Sequence, residues 1–348
     1  MLPIVEKEIG DLTETERGLI RILELLELER QIGVRMRGRG RPPRSRIAIA
    51  RAFVAKAVYN LPTTKALLER LRSDPTLARI CGFGKTIPSE PTFSRAFAEF
   101  AQMGFTQRVQ EALLGKYQKG RVVGHISRDG TEIEAREKPA PKVKPAPKPK
   151  GVRKAGRPRR GEKVERELTR LDLQTKRSLE ENLKDLPQAC DVSTKRNSKG
   201  HMESWTGYKL HLDVADGQIP ISAILTSASL HDSQAAIPLA QMTARRVDSC
   251  YDLMDAAYDA GAIRAHSASL GHVAIIEFNR RKGGEPRVFS PCEAQRFNER
   301  TTVERVNGRL KDEFGGRTIR VRGHKKVLTH LMFGLLALTA DQLLRLVS

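Results

Sequence analysis

The sequence predicts a mixed α/β fold, a sheet flanked by helices, with an all-α region before it and a basic insertion inside it. Three observations carry this. Residues 1–118 place apolar side chains at helical spacing between Pro, Gly and Ser punctuation. From residue 119 onward, period-two segments take turns with helical ones, as in a sheet covered by helices. From Lys138 to Gly161 there are ten Lys or Arg, six Pro and no acid, a composition that cannot collapse onto a core.

In the helical region, "ETERGLIRILELLELER" sets Leu19, Ile22, Leu23 and Leu26 at helical spacing, and the basic stretch "RMRGRGRPPRSR" follows. "IAIARAFVAKAVYN", "TTKALLERLRS" and "PTFSRAFAEFAQMG" read as further helices, with Thr63 and Ser89 as N-caps and Pro91 near a helix start. The last two could be a helix-turn-helix presenting Thr92, Ser94, Arg95 and Glu99, or equally a helical hairpin packed on its own core. "RVVGHISRDGTEIEA" reads as the first strand. The basic break spans 136–188 and ends in a charged helical stretch, "VERELTRLDLQTKRSLEENLKDL". "GYKLHLDVADGQIPISAILTSAS" alternates like a hairpin turning at Asp216-Gly217. "HDSQAAIPLAQMTARR" is a helix, "SCYDLMDAAYDAG" a strand running into a helix start, and "HVAIIEFNR" a strand. "FNERTTVERVNGRLKDEFGG" and "HKKVLTHLMFGLLALTADQLLRLV" close the chain as helices, giving the order β-β-β-α-β-α-β-α-α.

The net charge is +21, from 62 Lys and Arg against 41 Asp and Glu. An excess of this size points to a polyanionic partner, nucleic acid before an anionic membrane. No apolar run approaches the roughly 20 residues that span a bilayer; the longest is interrupted by Asp341. Cys81, Cys190, Cys250 and Cys292 lie far apart without CxxC pairing. This argues against a disulfide framework or zinc knuckle and suits a reducing cytoplasm. "GFGKT" resembles a phosphate loop, but Arg79 stands where its first glycine belongs, which removes the case for ATP. "RGRP" at 39–42 and "AGRPRRG" at 155–161 are extended and basic. Arg39, Arg41, Arg157 and Arg159 could enter an A·T-rich minor groove, or a plain basic linker could touch phosphates alone.

Asp129 and Asp255 each end a predicted strand, where an acid can simply cap the next turn. Two strand-borne aspartates and a helix-borne carboxylate would supply the oxygen ligands of a Mg²⁺ site for phosphoryl chemistry. Asp252 and Asp259 rival Asp255. On a helical wheel drawn from Arg300 at ~100° per residue, Glu304 and Lys311 fall beside it. Val303, Leu310 and Phe314 form the adjoining stripe, and Arg305, Arg309 and Asp312 point away.

Phe297-x₂-Arg300-x₃-Glu304-x₆-Lys311 resembles the Y-(2)-R-(3)-E-(6)-K signature of bacterial insertion-sequence DDE transposases. "SRDGTEIEA" is similar to their first-Asp segment and "LMDAAYDAGAIR" to the second, with Ala257 in place of the usual Gly and Phe297 in place of Tyr. "TSASLHDS" and the helical region from "GRP" to "FSRAFAEF" also resemble the family. The resemblance implies an RNase H-like core, with Asp129, Asp255 and Glu304 binding two Mg²⁺ (or Mn²⁺) ions. It implies Arg300 and Lys311 gripping DNA phosphates. The expected reaction is strand cleavage at transposon ends, then attack of the 3′-OH on target DNA without a covalent enzyme intermediate. A homodimer on double-stranded DNA, no ATP, no membrane and a nucleoid-associated place in the bacterial cytoplasm follow as expectations. The rival readings are a non-catalytic transposase remnant that binds DNA, and a simple metal-dependent nuclease.

Overall fold

The protein is described by a computed structural model covering residues 6–8, 10–32, 44–141, 168–196, 199–280 and 287–347. Helices come first, among them α1 (Glu14–Leu26), α2 (Arg46–Val58), α3 (Thr64–Ser73), α4 (Pro75–Ile80), α5 (Glu90–Gln102) and α6 (Phe105–Tyr117). Their starts follow the sequence signals. Thr13 and Glu16 form a capping box on α1, and Thr63 accepts from the Ala66 amide on α3. Ser89 holds the N-cap position of α5 without a capping bond, its hydroxyl lying 3.2 Å from that of Thr92.

Strands β1 (Val122–Glu134), β2 (Asp191–Arg196), β3 (Met202–Ala215), β4 (Ile219–Ser227), β5 (Asp248–Met254) and β6 (Val273–Ile276) form one sheet. Its order is β2-β3-β1-β5-β6, with β4 paired to β3. β1 runs antiparallel to β3 and parallel to β5, and β5 is parallel to β6. The expected hairpin is β3–β4, turning through Asp216–Gln218. Interleaved are α7 (Arg170–Gln174), α8 (Leu179–Asp185), α9 (Ser233–Ala244), α10 (Gly261–Ser269), α11 (Pro291–Phe297), α12 (Thr301–Asp312) and α13 (His324–Val347). α9 packs on β3 and β4; α12 packs on β1 and β3, and α13 on β4. The mixed sheet flanked by helices is the arrangement of an RNase H-like fold.

Three expectations change. β2 was not foreseen, because "DVSTKR" carries one apolar residue and its side chains are mostly exposed; ladder bonding to β3, not burial, makes it a strand. The charged stretch before it is two short helices rather than one, divided by a turn near Thr175–Ser178. The segment 297–316 is not one helix either: a 3-10 turn at Asn298–Arg300 separates α11 from α12.

At Gly207 three strands meet, since it pairs with Glu134 of β1 and with Asp191 of β2. A Cβ there would overlap the Ile133 carbonyl oxygen and the Ala135 nitrogen, both backbone atoms that cannot step aside. Gly207→Ala is therefore expected to cost roughly 1–3 kcal/mol, read as a lower midpoint in urea unfolding.

One core runs from the helices into the sheet. α13 lies against α1, α2, α5 and α6 as well as β4. Its Phe333 ring sits 5.5 Å from Phe53 of α2 and 6.2 Å from Phe97 of α5. α13 is long and apolar enough to cross a membrane, but 78% of its most apolar stretch is buried inside the protein. It serves as a core helix. α3 and α5 are separated by α4 and a loop, and Phe93, Ala96, Phe97 and Phe100 of α5 face the core. Ser94 and Arg95 stay exposed, whereas Glu99 holds Arg46 at 3.0 Å. The packed arrangement describes these helices better than a helix-turn-helix.

Candidate active site at the ends of two parallel strands

The last paired residues of β1 and β5 are Arg128 and Met254. The next residue on each chain is an aspartate, Asp129 and Asp255, so parallel pairing brings the two carboxylates to one level. Asp255 caps the following 3-10 turn, accepting from the Ala257 amide at 2.9 Å. Burial pushes the Asp129 carboxyl up to about 7; Asp255 and Asp232 push the same way, against the Gly130 amide and Arg300. Burial likewise raises Asp255, reinforced by Asp232 and Glu277 and opposed by the Ala257 amide and Arg300. Tyr258 is buried beside them, and its hydroxyl finds no hydrogen-bond partner among the described residues. Burial raises its pKa, and Asp232, Asp129 and Asp255 add to that.

The layer beneath is rigid. Arg128 donates to both oxygens of Asp213 at 2.7 and 2.8 Å, and the Thr243 hydroxyl donates to Asp213 at 2.6 Å. Burial works against the Arg128 charge, but Asp213 and Asp252 outweigh it and raise its pKa. Asp252 is buried, 3.4 Å from His272, so it belongs to this layer and not to the surface occupied by Asp255. Asp259 does not cap α10; it pairs with Arg264 at 3.0 Å.

Asp232 stands at the N-cap position of α9 without making a capping bond. It lies 3.0 Å from Lys209 Nζ and 3.7 Å from His211 Nδ1. A Cβ on Gly130 would come within 2.7 Å of Asp232 Oδ1, so only glycine lets this acid approach β1 so closely. In the sequence Asp232 is one of several turn acids. Its electrostatic effect on the other two follows from the fold alone.

Across the sheet, the Ser127 hydroxyl donates to the Glu299 carbonyl at 2.9 Å, tying the 3-10 turn to β1. Period-two alternation puts Asp129 on the same face as Ser127, and Arg300 on that turn is felt by both aspartates. The Arg300 guanidinium donates to Glu304 at 2.6 Å, with the Glu304 side chain 50% exposed. Glu304 is thus beside Arg300 as the wheel predicts, but paired to it instead of facing the aspartates. Lys311 points elsewhere, to Glu132 of β1 at 3.3 Å. Arg309 does not face outward: it binds Glu313, Asp341 and Gln342. Phe297 packs against Phe289 at 4.9 Å, with Arg300 over its ring at 5.8 Å.

Among the described residues, no three His, Cys, Asp or Glu side chains are close enough together to hold a metal ion. The donor chemistry nevertheless suits a cation: two neighbouring carboxylates, each made harder to ionise by burial and by further acids, gain most from one. Arg39, Arg41, Arg157 and Arg159 lie outside the described residues. All four cysteines are free; Cys81 and Cys190 are buried as small hydrophobes would be, Cys250 and Cys292 exposed.

Residues 125–340, well over half of the chain, match the family described as Transposase DDE domain. Residues 7–99 match the family described as Transposase domain (DUF772). No curated protein and no solved structure is matched by the chain.

Proposed function

Since this chain belongs to the Transposase DDE domain family, whose members are metal-dependent enzymes that cleave and join DNA, we propose that Asp129, Asp255 and Glu304 are its catalytic carboxylates. The observation that carries this is that Asp129 and Asp255 each follow the last parallel pair of β1 and β5, Arg128 and Met254, with Arg300 acting on both and bound to Glu304. The triad would hold two Mg²⁺ ions, with Mn²⁺ as a substitute. When bound, such ions activate an attacking oxygen and neutralise charge on the phosphate.

The chain's own residues do the rest. Arg300 is the group that decides whether Glu304 is available. A DNA phosphate is a better bidentate partner for a guanidinium than one carboxylate oxygen. Substrate entry therefore draws Arg300 away and releases Glu304 towards the aspartates. Lys311, held on β1 by Glu132, adds a second cation to the same DNA track. The Ser127 bond keeps the 3-10 turn in place while this exchange occurs.

Residues 1–118 act as the DNA-binding and dimerisation region, and 119–348 as the catalytic domain carrying the basic insertion at 136–188. The arginines Arg39, Arg41, Arg157 and Arg159 hold flanking DNA. The working unit is a homodimer, one protomer per transposon end, acting on the nucleoid in the bacterial cytoplasm without ATP.

The test incubates the protein with Mg²⁺ and duplexes ending in the element's own termini. Wild type is expected to nick and join. Glu304→Gln is expected to lose at least roughly 10²–10³-fold in cleavage while its DNA affinity stays within about twofold. Wild-type binding without nicking or joining would make this a non-catalytic DNA-binding protein. Cutting without joining would make it a nuclease.

A further inference from the structure

Between the helical region and the loop that leads into α13 lies a cavity of about 310 Å³, lined among others by Lys56 of α2, Thr63 at the start of α3, Ser94 of α5, and Arg320, Arg322 and Lys326. Lys56 is only 7% exposed and makes no ion pair or side-chain hydrogen bond among the described residues. An unpaired buried ammonium is costly. Burial alone pushes it down to about 8. His330, at the back of the cavity, gives no negative partner: it contacts the Gly315 carbonyl at 3.0 Å, and burial and Lys56 push its pKa down to about 3. The lining holds four cations, at 56, 320, 322 and 326, against one acid, Glu90.

The cavity also connects with β1. Arg322 donates to the carbonyl of Arg136, just past the strand, at 2.9 Å, and Lys311 holds Glu132 within it. From Asp129 to Ala135 the chain is extended, about 20 Å at ~3.3 Å per residue. Cations thus accompany β1 from the catalytic aspartates to the cavity mouth.

We propose that this cavity is a phosphate-binding site for the backbone of the DNA substrate, with Lys56 as its buried cation and Arg320 and Lys326 at its rim. This rests on DNA being the substrate, not on which carboxylates are catalytic. A tetrahedral dianion or diester phosphate fits the chemistry: an ammonium without a partner, hydroxyls at Thr64 and Ser94, and the N-terminus of a ten-residue helix.

The experiment measures duplex affinity by fluorescence anisotropy in EDTA, where no cleavage occurs, across a salt series at pH 7 and pH 9. Lys56→Met is expected to weaken binding about 5–20-fold and lower the slope of log K against log salt by about 1. Its melting temperature should not fall, because an unpaired buried charge leaves. Wild type should lose affinity between pH 7 and pH 9 as Lys56 deprotonates, and the variant should not share that loss. The surface double variant Arg320→Ala/Lys326→Ala keeps the test decisive should Lys56→Met misfold, and should reduce the slope as well. Unchanged affinity and slope in both variants overturn the proposal. So does a pyrophosphate-induced rise in melting temperature that depends on Lys56 while duplex binding does not, since the cavity would then serve a free phosphate.

Discussion

Asp129→Asn is expected to lower strand cleavage at least roughly 10²–10³-fold and, at pH 8 without metal, to raise stability by on the order of 1–3 kcal/mol. The two effects share one cause. Burial and neighbouring acids hold the Asp129 carboxyl near 7, well above its value in an unfolded chain. A carboxyl raised by folding binds its proton more tightly in the native state. Its contribution to stability is therefore fully present below the unfolded pKa near 4 and is lost as pH rises through about 7. The amide cannot ionise, so the variant should lack that decline in a urea-unfolding series from pH 5 to 8. With Asp129 as the ligand proposed above, metal would displace the remaining proton, so cation affinity and cleavage should climb between pH 6 and 8. Equal stability-versus-pH curves for the two proteins would sink this reading of Asp129.

Asp213→Ala is the second large effect, and it falls on the fold. Arg128 is 1% exposed and donates to both oxygens of Asp213 through Nε and Nη2. Removing the acid leaves a guanidinium in the core, which costs about 3–5 kcal/mol, a large part of the 5–15 kcal/mol typical of a domain. Asp252 remains nearby and shares the charge, which favours the lower end. Since Arg128 precedes Asp129, cleavage should fall too. Arg128→Met combined with Asp213→Leu should recover most of the stability, because the pair leaves together. If the single variant melts within a degree or two of wild type, the buried pair is not what fixes the end of β1.

The carboxylates of the site mark what could be read without coordinates. Asp255 follows the last residue of β5, as its sequence suggests, whereas Asp129 does not end its strand: β1 runs on to Glu134, and Asp129 pairs with Leu212 of β3. Glu304 was legible as a helix position but not as a rotamer. The wheel ran through 297–300 as if α-helical, whereas a 3-10 turn there resets the phase. Arg309 was misplaced because its partners, Asp341 and Gln342, are some 30 positions away on α13. Asp232 and Lys56 gave no local signal: an N-cap acid and a lysine in an alanine-rich helix look ordinary until packing brings other elements over them. β2 was missed because a polar ribbon held only by ladder bonds shows no hydrophobic period.

Helix α13 also has a consequence for how the protein is made. It supplies Phe333 to a ring cluster that includes Phe53 of α2, Phe93, Phe97 and Phe100 of α5, and Phe105 of α6. At about 5–20 residues per second, those early rings leave the ribosome on the order of 10–50 s before their partner does. During that interval the apolar sides of α2 and α5 rest on each other without it, through Phe53 against Phe93 and Phe97. A chain that ends before α13 therefore lacks the element that completes its helical half.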